Sequence, residues 1–525
     1  MIVKTDAAET VSYLSDASNL AGGRAERVVF PETAEEVAAV LAAASRERLP
    51  VTVSGAGTGI VGGRVPFGGI ILATDRLNRI VEIVKDDAGG GRATVGAGVV
   101  LADFRRAVES RGLLYPPDPT EWSCYVGGTV ATNASGARTF KYGPTRRYVR
   151  RLKLALATGD VVDLRRGDAR ADAEGNLRLP LAGGRAVDLK LPTYRMPRTR
   201  KHAAGYFVEP RMDAVDLFVG SEGTLGVVCE VEVDLLAKPE SYLAGVVFFE
   251  DEDDLLAFVR EARSRSLRTR AERERTGQAV VYPDRGSPES EEEWPSMIGV
   301  DARALEYFDS ESLKFLRPHY PEIPPRAAGA IFFEQEFTAE TEADYVAAWL
   351  AILQSHRALA DHSWYAVDER DQARLREFRH ALPALVNEWI ARAGQRKVST
   401  DMAVPDEHFA QMLAFYRETL RGSGLGHVIF GHIGDNHVHV NVLPRDEAEA
   451  ARAREIYQTF IRRAVSLGGT ISAEHGVGKL KRDYLRELYG DAALREMAAL
   501  KRALDPACVL GRGTMFDEEL LAVSS

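Results

Sequence analysis

Apolar and polar residues alternate along the first half of the chain with the periods of helices and strands. Residues 31–46 carry apolar side chains at the spacing of an amphipathic helix, with Thr33 as its N-cap and Glu36 three residues later. The β-branched and alternating residues of Val51–Ser54 indicate a short strand. The same two periods predict further elements: a helix over 101–111, strands over 69–73, 94–99, 149–157 and 161–164, and a strand that ends near residue 236.

From residue 239 onward, strands and helices alternate in a second pattern. A strand–helix–strand unit recurs twice there, which predicts a sheet covered by helices. The predicted strands are 242–249, 304–309 and 328–337, the predicted helices are 253–264, 340–356 and 375–392, and the segment 397–405 returns to the sheet. Pro383 is expected to break or kink the last of these helices. The chain then ends in predicted helices over 447–467, 479–489 and 492–504, stopped by Asp505-Pro506.

Two stretches show neither the helical nor the strand spacing of apolar residues. Residues 165–205 are rich in Arg, Gly and Pro and are predicted to form a long irregular surface excursion. Residues 283–294 contain a Glu-Glu-Glu run and are predicted to form a solvated excursion.

The length, charge and cysteine content of the chain exclude several classes of protein. At 525 residues the chain should form two to four domains. A net charge of −10 and a pI near 5.7 argue against nucleic acid as the main partner. Three widely spaced cysteines exclude a disulfide scaffold and an iron–sulfur cluster bound by this chain alone. Because no signal peptide and no run of ~20 apolar residues is seen, we expect a cytoplasmic protein, or one peripheral to a membrane.

Three glycine-rich segments punctuate the first half. Gly55 to Gly63 follows a predicted strand, and glycines at that density let consecutive backbone N–H groups point into one concavity, which suits a pyrophosphate. The second segment, 126–136, consists almost wholly of small residues. It would suit the close approach of a flat ligand, or else a Gly/Ala helix packed tightly on a sheet. The third segment is 216–228.

The densest polar chemistry lies between residues 427 and 475, which hold five of the eleven histidines. In GHIGDNHVHVN, residues 431–441, a strand would put His437, His439 and Asn441 on one face. The turn signal at 434–436 would bring His432 back beside His439. Imidazoles with the nearby carboxylate of Glu474 would suit a divalent metal such as zinc, manganese or iron(II). Structural histidines are the alternative.

Taken together, these segments resemble a known family. SGAGTGIVGG, PPDPTEWSCYVGGTVATNASG and GSEGTLGVV resemble the FAD-binding domain of the vanillyl-alcohol oxidase class of flavoproteins. With FGHIGDNHVHVN, AEHGVGK and LKRALDP added, the chain resembles the D-lactate and D-2-hydroxyglutarate dehydrogenase branch, from about residue 25 to 515. The implied fold class is α+β. It comprises a two-subdomain FAD-binding domain of PCMH type (1–238), a ferredoxin-like substrate cap (239–445) and a C-terminal helical segment (446–525).

The resemblance implies non-covalent FAD. Relatives that attach the flavin covalently have a histidine in the first glycine loop, where this chain has Gly57, and Thr129 replaces the family's usual asparagine. The residues implied to hold FAD are Gly55, Gly57, Thr58, Gly59, Gly62, Pro117, Asp118, Gly127, Gly128, Thr132, Gly136, Glu222, Gly223 and Val228.

The resemblance also assigns the reaction centre. It implies a metal held by His432, His439 and Glu474, zinc first, with His475 as the base and Asn441 and Arg379 holding the substrate. The loop reads Asp435-Asn436-His437 where many relatives have Asp-Gly-Asn, so His437 is either an extra ligand or a group behind the ligands.

The implied activity is dehydrogenation of a D-2-hydroxy acid, D-lactate first, with electrons passed to a separate quinone, cytochrome or electron-transfer flavoprotein. A homodimer is the candidate assembly. Two alternatives remain at this point. Alkyl-dihydroxyacetone-phosphate synthases resemble the same fold but typically carry histidine at the position of Glu474. A non-catalytic flavin-binding electron-transfer subunit would not need the complete histidine and glutamate set.

Overall fold

The computed structural model describes residues 1–276 and 299–521, so the predicted excursion at 283–294 lies outside the described residues. The first 238 residues hold twelve strands and six helices in the described chain. The strands are β1 (Ile2–Lys4), β2 (Arg27–Phe30), β3 (Val51–Ser54), β4 (Ile70–Ala73), β5 (Ile80–Lys85), β6 (Gly91–Gly96), β7 (Leu113–Leu114), β8 (Val149–Ala155), β9 (Val161–Arg165), β10 (Asn176–Pro180), β11 (Ala186–Lys190) and β12 (Val227–Ala237). The helices are α1 (Ala7–Thr10), α2 (Ala34–Glu47), α3 (Leu101–Glu109), α4 (Val126–Ala131), α5 (Thr139–Tyr142) and α6 (Ala214–Phe218).

These strands form two main sheets. One has four strands in the order β1-β2-β4-β3, with β4 parallel to β2 and to β3. The other has the order β5-β6-β12-β8-β9, with β7 also paired to β12. Helix α2 begins as its sequence predicts, because the Thr33 hydroxyl accepts from the Glu36 N–H at 3.2 Å. Two sheets joined in this way match the two-subdomain FAD-binding architecture expected.

The middle of the chain forms a second body built on one large sheet. Its strands are β13 (Ser241–Phe249), β14 (Ala302–Asp309), β15 (Gly329–Phe337), β16 (Trp364–Ala366), β17 (Val398–Ser399), β18 (His427–Gly431) and β19 (His439–Val442). Its helices are α7 (Glu252–Thr276), α8 (Ser310–Leu316), α9 (Glu342–Ser355), α10 (Glu369–Arg392) and α11 (Phe409–Ser423). The antiparallel sheet has the order β16-β13-β15-β14-β18-β19-β17, three strands more than the four of a ferredoxin-like unit.

The two faces of this sheet pack against different cores. Val440 and Val442 of β19 belong to the main core. Val428 of β18 belongs to a second core, which α10 covers with Phe378, Leu382 and neighbouring apolar residues. Directly opposite residues of an antiparallel pair share a face. Since Val428 lies opposite Asn441, Asn441 and, two residues away, His439 face the α10 side.

The last part of the chain is helical and returns to the first sheet. Helix α12 spans Glu447–Ser466 and α13 spans Arg482–Leu504, with a non-helical Gly490 (φ 78°) near the predicted break between two helices. After α13, Leu510 pairs with Val51 of β3 in a parallel bridge. No described helix is long and apolar enough to span a membrane.

Two predictions about local structure are wrong. The segment 165–205 is not irregular throughout, because β10 and β11 pair as an antiparallel hairpin and Leu177, Leu179 and Leu189 of this hairpin are buried. Helix α10 is not broken, since it runs through Pro383 from Glu369 to Arg392. Packing of its apolar side against the second core offsets the hydrogen bond that Pro383 cannot donate.

Buried ion pairs join α5 and the residues before it to the large sheet. Arg138 lies 3.1 Å from the carboxylate of Glu334 on β15, and Arg303 on β14 lies 2.8 Å from it. Lys141 lies 2.7 Å from Glu336 and 3.1 Å from Asp301. Burial alone would raise the pKa of Glu334, but the two guanidinium groups outweigh it and lower the pKa to about 2. The contacts tie the first body to the large sheet of the second.

Glu334→Gln should lower the free energy of unfolding by roughly 3–5 kcal/mol at pH 7, because it leaves two buried guanidinium groups short of a partner. The folded-state pKa lies below the unfolded value, so the wild-type stabilisation is complete above the usual carboxyl pKa and is lost as the pH falls towards 2. Urea unfolding at pH 7 and pH 3 measures both effects. Glu340→Gln, in an exposed turn, is the control and should change neither. Equal stability of Glu334→Gln and wild type at pH 7 would contradict the role given to this pair.

Candidate active site

A cleft of about 420 Å³ opens between the two sheets of the first body and the residues around Glu474. All three glycine segments contribute to its lining. Of the residues predicted to hold FAD, those that line it are Gly55, Gly57, Thr58, Gly59, Gly127, Gly128, Thr132, Glu222, Gly223 and Val228. Glu474 and His475 also line the cleft, which therefore reaches the histidine-rich centre.

Backbone geometry explains why glycine occupies these positions. Gly57 has φ +82°, and a Cβ there would lie 2.3 Å from the Arg64 guanidinium. In α4 the two glycines differ, since a Cβ on Gly127 would lie 2.5 Å from Ala97 Cβ, whereas one on Gly128 would meet nothing within 4 Å. The geometry agrees with the tightly packed helix, and the close approach of a flat ligand stays a prediction. Gly127 allows the helix to pack closely on the sheet, and Gly128 leaves the cleft wall open to a flat ligand.

Four of the predicted FAD residues lie behind the lining. Gly62 and Gly136 leave no room for a side chain, since a Cβ would lie 2.7 Å from Leu20 and 1.8 Å from the Asp118 carbonyl oxygen, respectively. Pro117 and Asp118 are buried, and the Asp118 carboxylate lies 2.6 Å from Arg105. Thr129 lines the cleft, but its hydroxyl donates to the Val126 carbonyl at 2.8 Å within its own helix.

Glu222 joins the cleft to the loop that carries Glu474. Its carboxylate accepts the backbone N–H groups of Val477 and Gly478, both at 2.8 Å. Burial raises the pKa of Glu222 to about 7, although these two N–H groups oppose the shift. The backbone of Glu222 has φ +52°. Its carboxylate binds two amides of the loop and so holds Gly476–Gly478 against the cleft.

The histidine segment folds as a hairpin. The turn at Ile433–Asp435 connects β18 to β19, and Asn436 adopts φ +53°. His439 and Asn441 lie on β19 as predicted, but the strand begins only at His439, so His437 belongs to the end of the turn. The ring centroids of His432 and His437 nevertheless lie 5.5 Å and 4.5 Å from that of His439.

The three imidazoles and Glu474 converge on one point. Each offers a donor atom, and all four of these atoms lie within 4.8 Å of one another. Glu474 Oε2 lies 3.3 Å from His432 Nε2 and 3.7 Å from His439 Nε2. Oxygen and imidazole donors grouped in this way fit a divalent metal such as zinc.

Hydrogen bonds to residues outside the cluster orient these donor side chains. His432 Nδ1 lies 2.7 Å from Glu306, and His439 Nδ1 lies 3.0 Å from the Thr400 carbonyl oxygen, which leaves both Nε2 atoms directed at Glu474. The other Glu474 oxygen accepts from Lys201 at 2.6 Å and from Ser135 at 3.1 Å. A carboxylate or carbonyl behind each histidine is the arrangement typical of metal-binding histidines.

The pKa values of the cluster residues follow from this crowding. Burial opposes protonation of His432, but the carboxylates of Glu306 and Glu474 outweigh it and raise its pKa to about 9. Burial likewise opposes ionisation of Glu474, yet His432 and Lys201 hold its pKa well below the usual value. Burial lowers the pKa of His439 and keeps it neutral. Glu474 is thus an anion, as a ligand carboxylate must be.

Asp401 organises the loop around His475. The Asp401 carboxylate accepts the backbone N–H groups of Glu474 and His475, at 3.2 and 3.1 Å. It also lies 3.2 Å from His475 Nδ1 and 2.7 Å from Lys481 Nζ. Asp401 therefore contacts Nδ1 of His475, and not Nε2. The imidazole of His475 lies parallel to that of His439, with 5.6 Å between centroids.

Of the two residues predicted to hold substrate, Asn441 has an unpaired side chain and Arg379 is paired with Glu306. Asn441 is buried, and its side-chain oxygen and nitrogen find no hydrogen-bond partner among the described residues. Arg379 lies on α10 with Nε 3.4 Å from Glu306, the residue that supports His432. Buried amides are normally satisfied, so Asn441 is poised for a ligand.

Sequence reasoning missed Lys201, Glu306 and Asp401. Lys201 lies in the stretch predicted to be an irregular surface excursion, yet its side chain is fully buried. Glu306 could have been noticed, because it is an acidic residue within the apolar strand ALEYFD. Asp401 carries no local signal that separates it from an ordinary turn residue.

Most of the chain is similar to known proteins. The family model described as "FAD binding domain" matches residues 25–165, and the one described as "FAD linked oxidases, C-terminal domain" matches residues 296–515. A glycolate oxidase subunit GlcD of Bacillus subtilis is 29% identical, over 97% of this chain and 92% of its own length. A D-lactate dehydrogenase of Anaerostipes hadrus is 29% identical, over 93% of this chain and 89% of its own.

The fold also has relatives among solved structures. An alkyldihydroxyacetonephosphate synthase superposes with a TM-score of 0.59 at 13% identity, covering 97% of this chain and 82% of the other. At that identity the likeness concerns the fold alone.

Proposed function

The chain belongs to the FAD-linked oxidases, and from that premise we propose that this oxidoreductase converts a D-2-hydroxy acid, D-lactate first, to the 2-oxo acid. The hydroxyl proton goes to the protein, the Cα hydrogen leaves with its electron pair, and a carbonyl forms. The two electrons then pass to a separate acceptor, a quinone, a cytochrome or an electron-transfer flavoprotein.

The cleft residues fit FAD, because a flat ring system needs open backbone walls and Gly128 provides one. FAD bound there supplies the hydride acceptor. The glycine loop at 55–59 would hold its diphosphate through backbone N–H groups. Glu222 would keep the Glu474 loop against the cleft through its contacts with Val477 and Gly478.

The donor set fits a metal, with His432, His439 and Glu474 as the residues that would hold it. A divalent ion there lowers the pKa of a hydroxyl group and stabilises negative charge on its oxygen. Zinc suits imidazole and carboxylate ligands, and manganese and iron(II) are the alternatives. Lys201 and Ser135 would keep Glu474 turned towards the two histidines.

His475 is proposed as the base that receives the hydroxyl proton. Its Nδ1 contact with Asp401 fixes the ring and stabilises the positive charge that proton uptake creates. Arg379 and Asn441 would hold the substrate carboxylate and orient it. Arg379 offers a fork of N–H donors of which one faces Glu306, and Asn441 offers an unpaired amide.

One observation carries the proposal. Glu474 and His475 line the flavin cleft, and Glu474 is at the same time one of the four donors in the histidine cluster. A hydroxy acid held at the cluster would therefore present its Cα to the cleft, while its proton finds His475. Neither a flavin-binding subunit without catalysis nor a structural histidine cluster requires that coincidence.

The proposal is tested by product identification. The holoprotein is supplied with D-lactate, D-2-hydroxyglutarate, glycolate or L-lactate and an artificial electron acceptor, and the products are identified by mass spectrometry. We expect a 2-oxo acid from one of the D-2-hydroxy acids and at least tenfold less from L-lactate. Failure of all D-2-hydroxy acids to yield a 2-oxo acid would reject the proposed substrate class.

FAD should be released when the protein is denatured by heat or acid. The first glycine loop has no histidine, and among the described residues that line the cleft only His475 is one. Absorbance of the supernatant after precipitation measures the release. Flavin that stays with the denatured polypeptide would contradict non-covalent binding, and a protein purified without any flavin would contradict the cofactor assignment.

The three-part division at residues 238 and 445 is part of the proposal, as is a homodimer. In this division the first part holds FAD, the second holds substrate, and the third completes the site by supplying Glu474 and His475. A cytoplasmic or membrane-peripheral site of action would suit the acceptors named above.

A further inference from the structure

We infer that His437 is a fourth protein ligand of the metal, so that three imidazoles and one carboxylate hold it. The inference rests on the metal-assisted function proposed above and extends it to a residue that lies where many relatives have asparagine.

The position of His437 supports a ligand role. Its side chain is completely buried, and one of its ring nitrogens is among the four donor atoms that lie within 4.8 Å of one another. Its ring centroid lies 4.5 Å from that of His439 and 5.6 Å from that of His432. The turn at Asn436 brings it there, since β19 begins only two residues later.

Its hydrogen bonding separates it from a structural histidine. Neither ring nitrogen of His437 makes a hydrogen bond with a described residue, and the contact of Nε2 with Asp401 Oδ1 is long, at 3.4 Å. His202 is also largely buried and shows what a structural histidine looks like in this protein. Its Nδ1 lies 2.9 Å from the Thr470 hydroxyl and its Nε2 lies 3.1 Å from the Tyr489 hydroxyl. Since buried polar groups are nearly always satisfied, a buried imidazole with one long contact and one nitrogen without any partner, beside two other histidines of the cluster, points to a metal.

The surroundings of His437 also match those of the other two histidines. Its Nε2 lies 3.4 Å from Asp401 Oδ1, as His432 faces Glu306 and His439 faces the Thr400 carbonyl. Each of the three therefore lies close to an oxygen acceptor, and each offers a ring nitrogen to the cluster. Such an acceptor typically orients a ligand histidine and increases its basicity. Asp401 would then support the metal through His437 and the base through His475.

The donor set has a consequence for metal choice. Three neutral imidazoles and one carboxylate form a nitrogen-rich site, which suits zinc better than manganese, an ion that prefers oxygen ligands. Removing one imidazole should weaken zinc binding more than manganese binding. If His437 only fills space, its removal should weaken zinc binding and manganese binding equally.

The experiment compares His437→Asn and His437→Ala with wild-type holoprotein, measuring zinc and manganese dissociation constants by competition with a chelator. We expect both variants to retain FAD and to bind zinc more than ~10²-fold more weakly, since groups behind the ligands already cost 10–100-fold when removed. The loss should be smaller for manganese. His427→Ala, in the same hairpin but outside the cluster, should bind both metals as wild type does.

X-ray absorption of the zinc-loaded wild type provides a measurement that needs no variant, and we expect it to report three imidazoles around zinc. Two imidazoles, or a His437→Ala variant with wild-type zinc affinity, would overturn the inference and leave the proposed function intact. Equal weakening of zinc and manganese would also overturn it. A wild type that binds no divalent metal would reject the metal-assisted mechanism and the His437 ligand together.

Discussion

Replacing His475 with alanine should slow reduction of the flavin by a D-2-hydroxy acid by ~10²–10⁴-fold, the usual cost of removing a general base. FAD and metal should both remain bound. The reason is that the two neighbouring residues are placed differently. Glu474 belongs to the four-donor cluster, whereas Nδ1 of His475 faces Asp401. Removing the imidazole of His475 would therefore take away the proposed proton acceptor and leave the side chains of His432, His439 and Glu474 in place.

Anaerobic stopped-flow reduction, with metal and FAD content measured on the same sample, tests this result. His362→Ala provides the matched control, because it removes an exposed histidine far along the chain from the cluster and should reduce its flavin at the wild-type rate. Loss of metal in His475→Ala would move His475 into the coordination shell. An unchanged rate would remove it from the mechanism.

Replacing Glu474 or His432 with alanine should remove the metal, which we expect at close to one per chain in the wild type. Glu474 is the only carboxylate in the four-donor cluster of the described chain, and His432 Nε2 lies 3.3 Å from it. Loss of the metal would impair substrate binding and hydride transfer together. Metal analysis after gel filtration, with flavin reduction on the same sample, provides the measurement.

Glu306→Gln is the graded control for these two variants. Glu306 lies 2.7 Å from His432 Nδ1 and stands behind the ligand, so metal affinity should fall only ~10–100-fold. The expected order is wild type, then Glu306→Gln, then the two ligand variants. Full metal content in both Glu474→Ala and His432→Ala would show that the ligands lie elsewhere.

Much of the site could be predicted because its signals are local. A glycine loop after a strand, a turn between two histidines and an acidic residue next to His475 are each visible within a dozen residues. The turn did bring His432 beside His439, with 5.5 Å between ring centroids. Period-two spacing alone misjudged His437, since the positive φ of Asn436 delays the strand to His439.

The remainder depends on contacts between distant parts of the chain. Lys201 reaches Glu474 across 273 positions, and a lysine between Arg200 and His202 gives no sign that it will be fully buried. Asp401 meets the Glu474–His475 loop only after the cap sheet and the C-terminal segment have come together. The β10–β11 hairpin was hidden because residues 165–205 as a whole are rich in Arg, Gly and Pro, which masked the alternating Leu177, Leu179 and Leu181. The even spacing of apolar residues in α10 outweighed Pro383.

Anaerobic titration of the metal-loaded holoprotein with D-lactate and D-2-hydroxyglutarate, followed by the visible absorbance of the flavin, tests the proposed dehydrogenation directly. We expect one of these acids to bleach the flavin and one 2-oxo acid to be formed per flavin reduced. L-Lactate should leave the spectrum unchanged on the same timescale. A flavin that stays oxidised with every D-2-hydroxy acid, in protein shown to contain both FAD and metal, would contradict the central claim.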